Sequence, residues 1–175
     1  MDKQDFYSPK YPWLYLVEAS VSDITNFAWS LTHNNQLRVV VRFLRGRKML
    51  RLGCLFDEFA AALQFPYYFG ENWSAFDECI TDLEWLPGDA YILVIIDSEA
   101  VLSKEDKEQF STLISVLQKA GDEWSQPIEN SEAWDRPAAA FHVIFQCSEF
   151  TLRCMISRFE DAGAAFQVLR LEEIQ

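Results

Sequence analysis

The chain has 175 residues, half of them apolar and 15% aromatic, with a formal net charge of −12. That length and apolar content suit one packed domain that folds without staples, and they exclude disorder. The charge excludes partners rich in phosphate: DNA, RNA and anionic lipid would all repel it, so the expected partner is a basic protein.

Residues 1–11 are polar and are expected to fray. Their start, MDKQDFYSPK, holds no apolar signal region, and nothing approaches a membrane-spanning length, so a reduced cytoplasmic location is expected. Trp13–Val17 is a short apolar run with strand character. Ser20 or Ser22 is placed to cap a helix over Asp23–Thr32, in which Ile24, Phe27, Ala28 and Leu31 fall at helical spacing; His33-Asn34-Asn35 breaks it. Leu37–Leu44 is β-branched and apolar, with Arg38 and Arg42 inserted, and runs into the basic turn Arg45-Gly46-Arg47-Lys48. A second helix is predicted over Leu52–Leu63, ending before Pro66.

The most distinctive stretch, FPYYFGENWSAFDECITDLEW, runs from Phe65 to Trp85. It reads as a stiff aromatic loop feeding a short helix. Pro66 fixes φ, Gly70 is free to take φ > 0, and Asn72 or Ser74 can cap the helix, Ser74 with Asp77 fitting an acidic capping box. At 100° per residue, Ala75, Phe76, Cys79, Ile80 and Leu83 form a stripe for burial. Ser74, Asp77, Glu78, Thr81, Asp82 and Trp85 fall on or near the opposite side. Charged helix faces are usually just solvated, and loop aromatics such as Tyr67, Tyr68, Phe69 and Trp73 are often rim residues. The surrounding charge favours more than that: from Leu52 to Ser103 there is no Lys, Arg or His, while acids recur throughout. Surfaces that only need solubility intersperse both signs, so an uncompensated acidic field beside aromatics marks a docking surface for a basic partner.

Pro87-Gly88-Asp89 is a turn, and Tyr91–Ile96 (YILVII) reads as a strand buried on both faces, the mark of a parallel sheet covered by helices. Ser103 is expected to cap a long helix with Glu105 or Asp106 in its first turn and Phe110, Leu113, Ile114 and Leu117 inward. Gln126 to Pro137 is loop-like. Phe141–Phe145 is a further buried strand, Thr151–Ala162 a further helix, Gly163 a stop, and Phe166–Leu171 a last strand. Alternating strands and helices imply βαβ units with right-handed crossovers. The expectation is an α/β fold, a mostly parallel sheet of about five strands flanked by helices, forming a single domain over residues 1–175.

Four cysteines, Cys54, Cys79, Cys147 and Cys154, contain no CxxC pair, and with only His33 and His142 to supplement them no metal site is expected. Cys79 and Cys147 read as small core hydrophobes. No GxSxG, Walker A, HExxH or GxGxxG is present, so neither a cofactor nor an enzyme is expected. The best catalytic hook is Asp97 at the end of a buried strand, as in phosphoacceptor domains; those need a second acidic pair for Mg²⁺, where this chain has Arg45-Gly46-Arg47, and such an Asp is more often a cap or turn residue. His142 reads as a satisfied core side chain and His33 as solvent-facing. The basic cluster Arg38–Arg51 is expected to neutralise acids within the fold.

Phe65-Pro66, Tyr68, Gly70-Glu71-Asn72, Ala75 and Cys79 resemble the loop and following helix of the barstar family, the intracellular inhibitors of barnase-type ribonucleases. Element order extends the resemblance over residues 37–147, as a three-strand core. Residues 1–36 and 148–175 then each add a helix and a strand to the same sheet, an enlarged relative similar to immunity proteins paired with bacterial RNase toxins. The resemblance implies that this loop-helix plugs a ribonuclease active site, its carboxylates standing where RNA phosphates would. It assigns partner contacts to Tyr68, Gly70 and Asn72. Ser74 stands where small members have a contacting aspartate, Asp77 where they have a tryptophan, and Glu78, one methylene longer, at the dominant aspartate. These departures imply a cognate ribonuclease other than barnase, with charge at Asp77, Glu78 and Asp82 and aromatic contact from Trp73 or Trp85. The competing reading is a non-inhibitory interaction module of the same fold that binds another basic protein.

Overall fold

The structure, a computed structural model, describes residues 2–131 and 135–174. Strands β1 (Leu14–Glu18), β2 (Val39–Arg45), β3 (Ala90–Ile96), β4 (Ala140–Cys147) and β5 (Phe166–Arg170) form one sheet in the order β2-β3-β4-β1-β5. Every neighbouring pair is parallel. Helices α1 (Val21–Leu31), α2 (Leu52–Leu63), α3 (Trp73–Asp82), α4 (Lys107–Trp124) and α5 (Glu149–Asp161) cover it. The α/β class and the five strands are those the apolar runs predict.

The sheet is parallel because its strands are apolar on both sides. In β3, Tyr91, Leu93 and Ile95 enter one core while Ile92 and Val94 enter the other; in β4, Phe141, Val143 and Phe145 oppose Ile144 in the same way. Right-handed crossovers decide which helices cover which face. The steps β2 to β3, β3 to β4 and β4 to β5 all run one way across the sheet, so α2, α3, α4 and α5 share one face and build the larger core. The step from β1 to β2 runs back, which puts α1, through Ile24, Ala28 and Leu31, on the other.

Local expectations fail at three places. Residues 1–11 do not all fray: Lys3–Tyr7 is a 3-10 helix with an Asp2–Asp5 capping box, and Phe6 is fully buried against Tyr15, Phe27 and His142. One large apolar side chain at the right spacing outweighs the polar composition around it. Ser103 does not cap α4; Asp106 occupies that position, because Leu102 and Lys104 donate their amides to Met49 and Leu50 and hold the chain in turns until then. The helix after β4 starts at Glu149, two residues earlier than predicted, with Ser148 capping it by a reciprocal bond with Thr151. Gly163 does end α5, at φ +66°. Of the loop-like stretch before β4, residues 132–134 lie outside the described residues.

Candidate functional site

The helix α2 ends at Gln64, which takes left-handed backbone (φ 56°), and Phe65-Pro66 redirects the chain into a tip closed by the Phe69 amide on the Pro66 carbonyl at 2.9 Å. The left-handed residue of this loop is Glu71 (φ 46°), not Gly70. Asn72, rather than Ser74, caps α3: its Oδ1 accepts from the Ala75 amide at 3.0 Å while its Nδ2 donates to the Gly70 carbonyl at 2.9 Å, so one amide side chain locks loop and helix together.

An aromatic cluster sets the loop's position. Phe65 packs on Phe69 and Trp85, and Phe56 packs edge-on against Phe69 and Trp73. The Trp73 indole donates to Gln109 Oε1 at 2.9 Å, and the Trp85 indole to the Leu63 carbonyl at 3.0 Å. Both tryptophans are half-buried and tied to the scaffold. The aromatic surface that faces solvent belongs to Tyr67, at 101% relative exposure, and Tyr68, at 66%.

On α3, Phe76, Cys79 and Ile80 are buried and Leu83 closes the helix from beneath. Ser74, Glu78 and Asp82, spaced four apart, are all exposed and form one outward ridge. Asp77 lies on the next ridge, against α4. Its Oδ2 takes the Lys119 ammonium and its Oδ1 is buried without a partner, so this carboxylate is turned into the seam between the helices, away from the outward position the helical wheel gave it. Trp124 secures the seam by donating to the Ile80 carbonyl at 2.9 Å, one of the groups that every helix C-terminus leaves without an internal partner.

The charges divide accordingly. Glu58 is buried and accepts the Arg45 amide, Nε and Nη2 at 2.7–2.9 Å; the guanidinium holds its carboxyl below the usual range. Asp97 is bound by Arg47 at 2.9 Å, and Glu105 lies 3.9 Å from Arg51. The basic stretch thus serves internal acids, as expected, and the strand-end Asp97 is occupied by a guanidinium. Glu71, Glu78, Asp82 and Glu84 have no ion pair among the described residues. Asp82 and Glu84 sit at the C-terminal end of α3, where the helix dipole is already negative and no basic residue occupies the last turn. Stability alone would place cations there.

Tyr68, Phe69, Ala75, Glu78, Cys79, Asp82 and Trp85 line a notch of about 80 Å³. Burial, then Glu78 and Asp82, push the Cys79 thiol up; burial, then its acidic neighbours, push the Tyr68 phenol up. Both groups stay neutral at ordinary pH, and the notch offers aromatic walls with a carboxylate rim. Cationic groups are the ones such walls and rim attract, and no nucleophile–base couple stands beside the notch among the described residues. All four cysteines are free, and Cys147 is pushed up to about 12 by burial and by Glu99 and Glu18. Among the described residues no group of His, Cys, Asp and Glu is placed to hold a metal, and no helix is long and apolar enough to cross a membrane.

Of the nine residues singled out in the sequence, the structure gathers Tyr68, Glu78, Asp82 and Trp85 around the notch. Gly70, Asn72 and Ser74 lie outside its lining, on the loop and first turn of α3, Trp73 is tied to Gln109 of α4, and Asp77 faces α4. Sequence reasoning passed over Lys119, which no local pattern connects to a helix 42 residues away.

No curated protein matches the chain. The family model described as Barstar (barnase inhibitor) matches residues 39–146, from the first residue of β2 through α2, α3, β3 and α4 to the penultimate residue of β4. That span is well over half of the chain and carries both the capped loop and the acidic helix, and so the chain belongs to the barstar family of barnase inhibitors.

Proposed function

We propose that this chain is an immunity-type inhibitor that blocks the active site of a cognate ribonuclease toxin in the cytoplasm. One observation carries the reading: Glu78 midway along α3 and Asp82 and Glu84 at its negative end have no ion pair among the described residues, and they stand beside the exposed Tyr68, whose loop is held by Asn72 and two anchored tryptophans. A ribonuclease must gather positive charge to bind phosphate, and a fixed row of carboxylates meets that charge without reorganising. Tyr68, Gly70, Asn72, Ser74, Glu78 and Asp82 make the contacts in this reading. Trp73 and Trp85 position them, and Asp77 acts through its pair with Lys119. The four free thiols suit a reducing compartment, and the net charge of −12 keeps RNA, DNA and anionic membranes away.

The test is capture of the native partner on the immobilised chain, followed by assay of the partner's RNA cleavage with and without stoichiometric inhibitor. A ribonuclease silenced at equimolar ratio is the expected result. A basic partner with no nuclease activity overturns the inhibitor assignment in favour of a plain interaction module.

A further inference from the structure

A cation stands directly against the acidic helix α3 at Asp77. Lys119 reaches from α4 to Asp77, and its ammonium also meets Glu123 Oε1 at 3.3 Å. Asp77 retains only 29% side-chain exposure and Lys119 retains 52%, so what an approaching molecule meets at that point is the cation. The two helices cannot slide to expose the acid instead, because Trp124 and Gln109 pin α4 to α3 on either side of the pair. Asp77 also contributes nothing through its other oxygen, which is buried without a partner. The ridge of Glu78 and Asp82 thus has beside it, on the Asp77 side, an exposed ammonium shared between Asp77 and Glu123.

Building on the inhibitor reading, we propose that Lys119 is a specificity-determining residue of this face: it makes the surface select a partner whose positive charge is patterned, cationic against the Glu78–Asp82 ridge but neutral or acidic against Lys119, and it rejects uniformly cationic surfaces. Selectivity is a difference of affinities, and a repulsive element is the usual way to obtain it when attraction alone would favour any polycation. An all-acidic plug on a chain of net charge −12 has that weakness.

The test uses a uniformly cationic probe, a fluorescent nona-arginine peptide, titrated by anisotropy at low ionic strength. Lys119→Gln frees Asp77 and removes the cation; Lys107→Gln makes the same change in net charge on the same helix, beside Asp161. Lys119→Gln is expected to tighten binding about fivefold, with Lys107→Gln changing it less than twofold, the difference vanishing above about 0.5 M salt. Lys119→Met, which keeps the apolar stem, should match Lys119→Gln and guards against an effect of packing. Equal responses to Lys119→Gln and Lys107→Gln overturn the role of Lys119 and leave the acidic ridge standing if Glu78→Gln weakens the probe. Should Glu78→Gln bind as wild type does, the ridge itself is not the docking face, and both readings fall.

Discussion

Glu78 and Asp82 should move stability and binding in opposite directions. Both are exposed, lie one turn apart, and have no ion pair among the described residues. Converting them to Gln and Asn removes a like-charge pair at i,i+4, which costs a helix about 0.2–0.5 kcal/mol. It also removes a carboxylate from the negative end of the dipole, for about 0.3–1 kcal/mol more. The double variant should therefore be more stable by about 0.5–1.5 kcal/mol, raising Tm by roughly 1–6 °C for a chain of this size. Against a ribonuclease the sign reverses. A carboxylate about 4 Å from a partner cation gains roughly 4 kcal/mol at an effective dielectric of about 20 before desolvation is subtracted. Close charge pairs at the barnase–barstar interface, the family's own reference complex, have measured couplings of about 1.5–7 kcal/mol; that range calibrates the expectation and is not a property of this chain. Losing both charges should weaken the complex by at least about 10³-fold, read by calorimetry beside a thermal melt. A double variant that is less stable than wild type would show the carboxylates to be structural, and an unchanged affinity would refute their role in docking.

Three further outcomes follow from other sites. His142 is fully buried; its Nε2 donates to the Ser8 carbonyl at 3.0 Å, and burial lowers its pKa below 6.5 despite the Ser8 and Pro12 carbonyls and Asp5. The unfolded chain then binds the extra proton first, so stability should be complete above about pH 6.5 and fall as the pH drops below it, and His142→Gln should flatten that slope in melts taken from pH 7.5 to 5. Glu58→Ala orphans the Arg45 amide and should destabilise the fold by about 2 kcal/mol while leaving ribonuclease affinity within about twofold; a large affinity loss would place Glu58 in the docking face. Tyr68→Ala should cost more binding than Tyr67→Ala although Tyr67 is the more exposed, since only Tyr68 lines the notch, and equal losses would remove the notch from the argument.

Strands were legible where the apolar run was continuous: YILVII and FHVIF read as strands buried on both faces, and β3 and β4 are buried almost throughout. The helix α2 was legible because Leu52–Leu63 is one amphipathic run that stops before Pro66. The loop before α3 was legible in its proline, its capping Asn and the short helix that follows, though its left-handed residue is Glu71 and not Gly70. What sequence could not supply were charges decided by distant partners. Asp77 and Glu78 are adjacent in the chain and look equivalent on a wheel, yet one is claimed by Lys119 and the other is free. Nor does sequence show that Gln109 and the Leu63 carbonyl hold the indoles of Trp73 and Trp85. Phe6 gave no sign of being buried, because a lone aromatic in a polar segment has no periodicity to betray it.

β1 and β5 lie at the far side of the sheet from β2, yet a chain of contacts links them to α3. β1 and β5 extend the sheet beyond β4, and Trp13, just before β1, donates its indole to Asp122 on α4 at 2.7 Å. A Cβ at Gly121 would overlap the Trp13 side chain, coming within 2.3 Å of its Cγ. The next turn of α4 holds α3 through Trp124, and the previous one through Lys119. Gly121→Ala therefore sets two effects against each other. Helix propensity favours alanine by about 1 kcal/mol, while forcing a methyl group into a packed ring costs typically 1–3 kcal/mol. The overlap falls on the root of the Trp13 side chain, which cannot swing away, so the cost should win and α4 should shift. Because α4 carries the pins that orient α3, ribonuclease affinity should fall together with stability, mainly through faster dissociation. A variant that melts lower but binds as tightly as wild type would show that the added strands stabilise the sheet without reaching the plug.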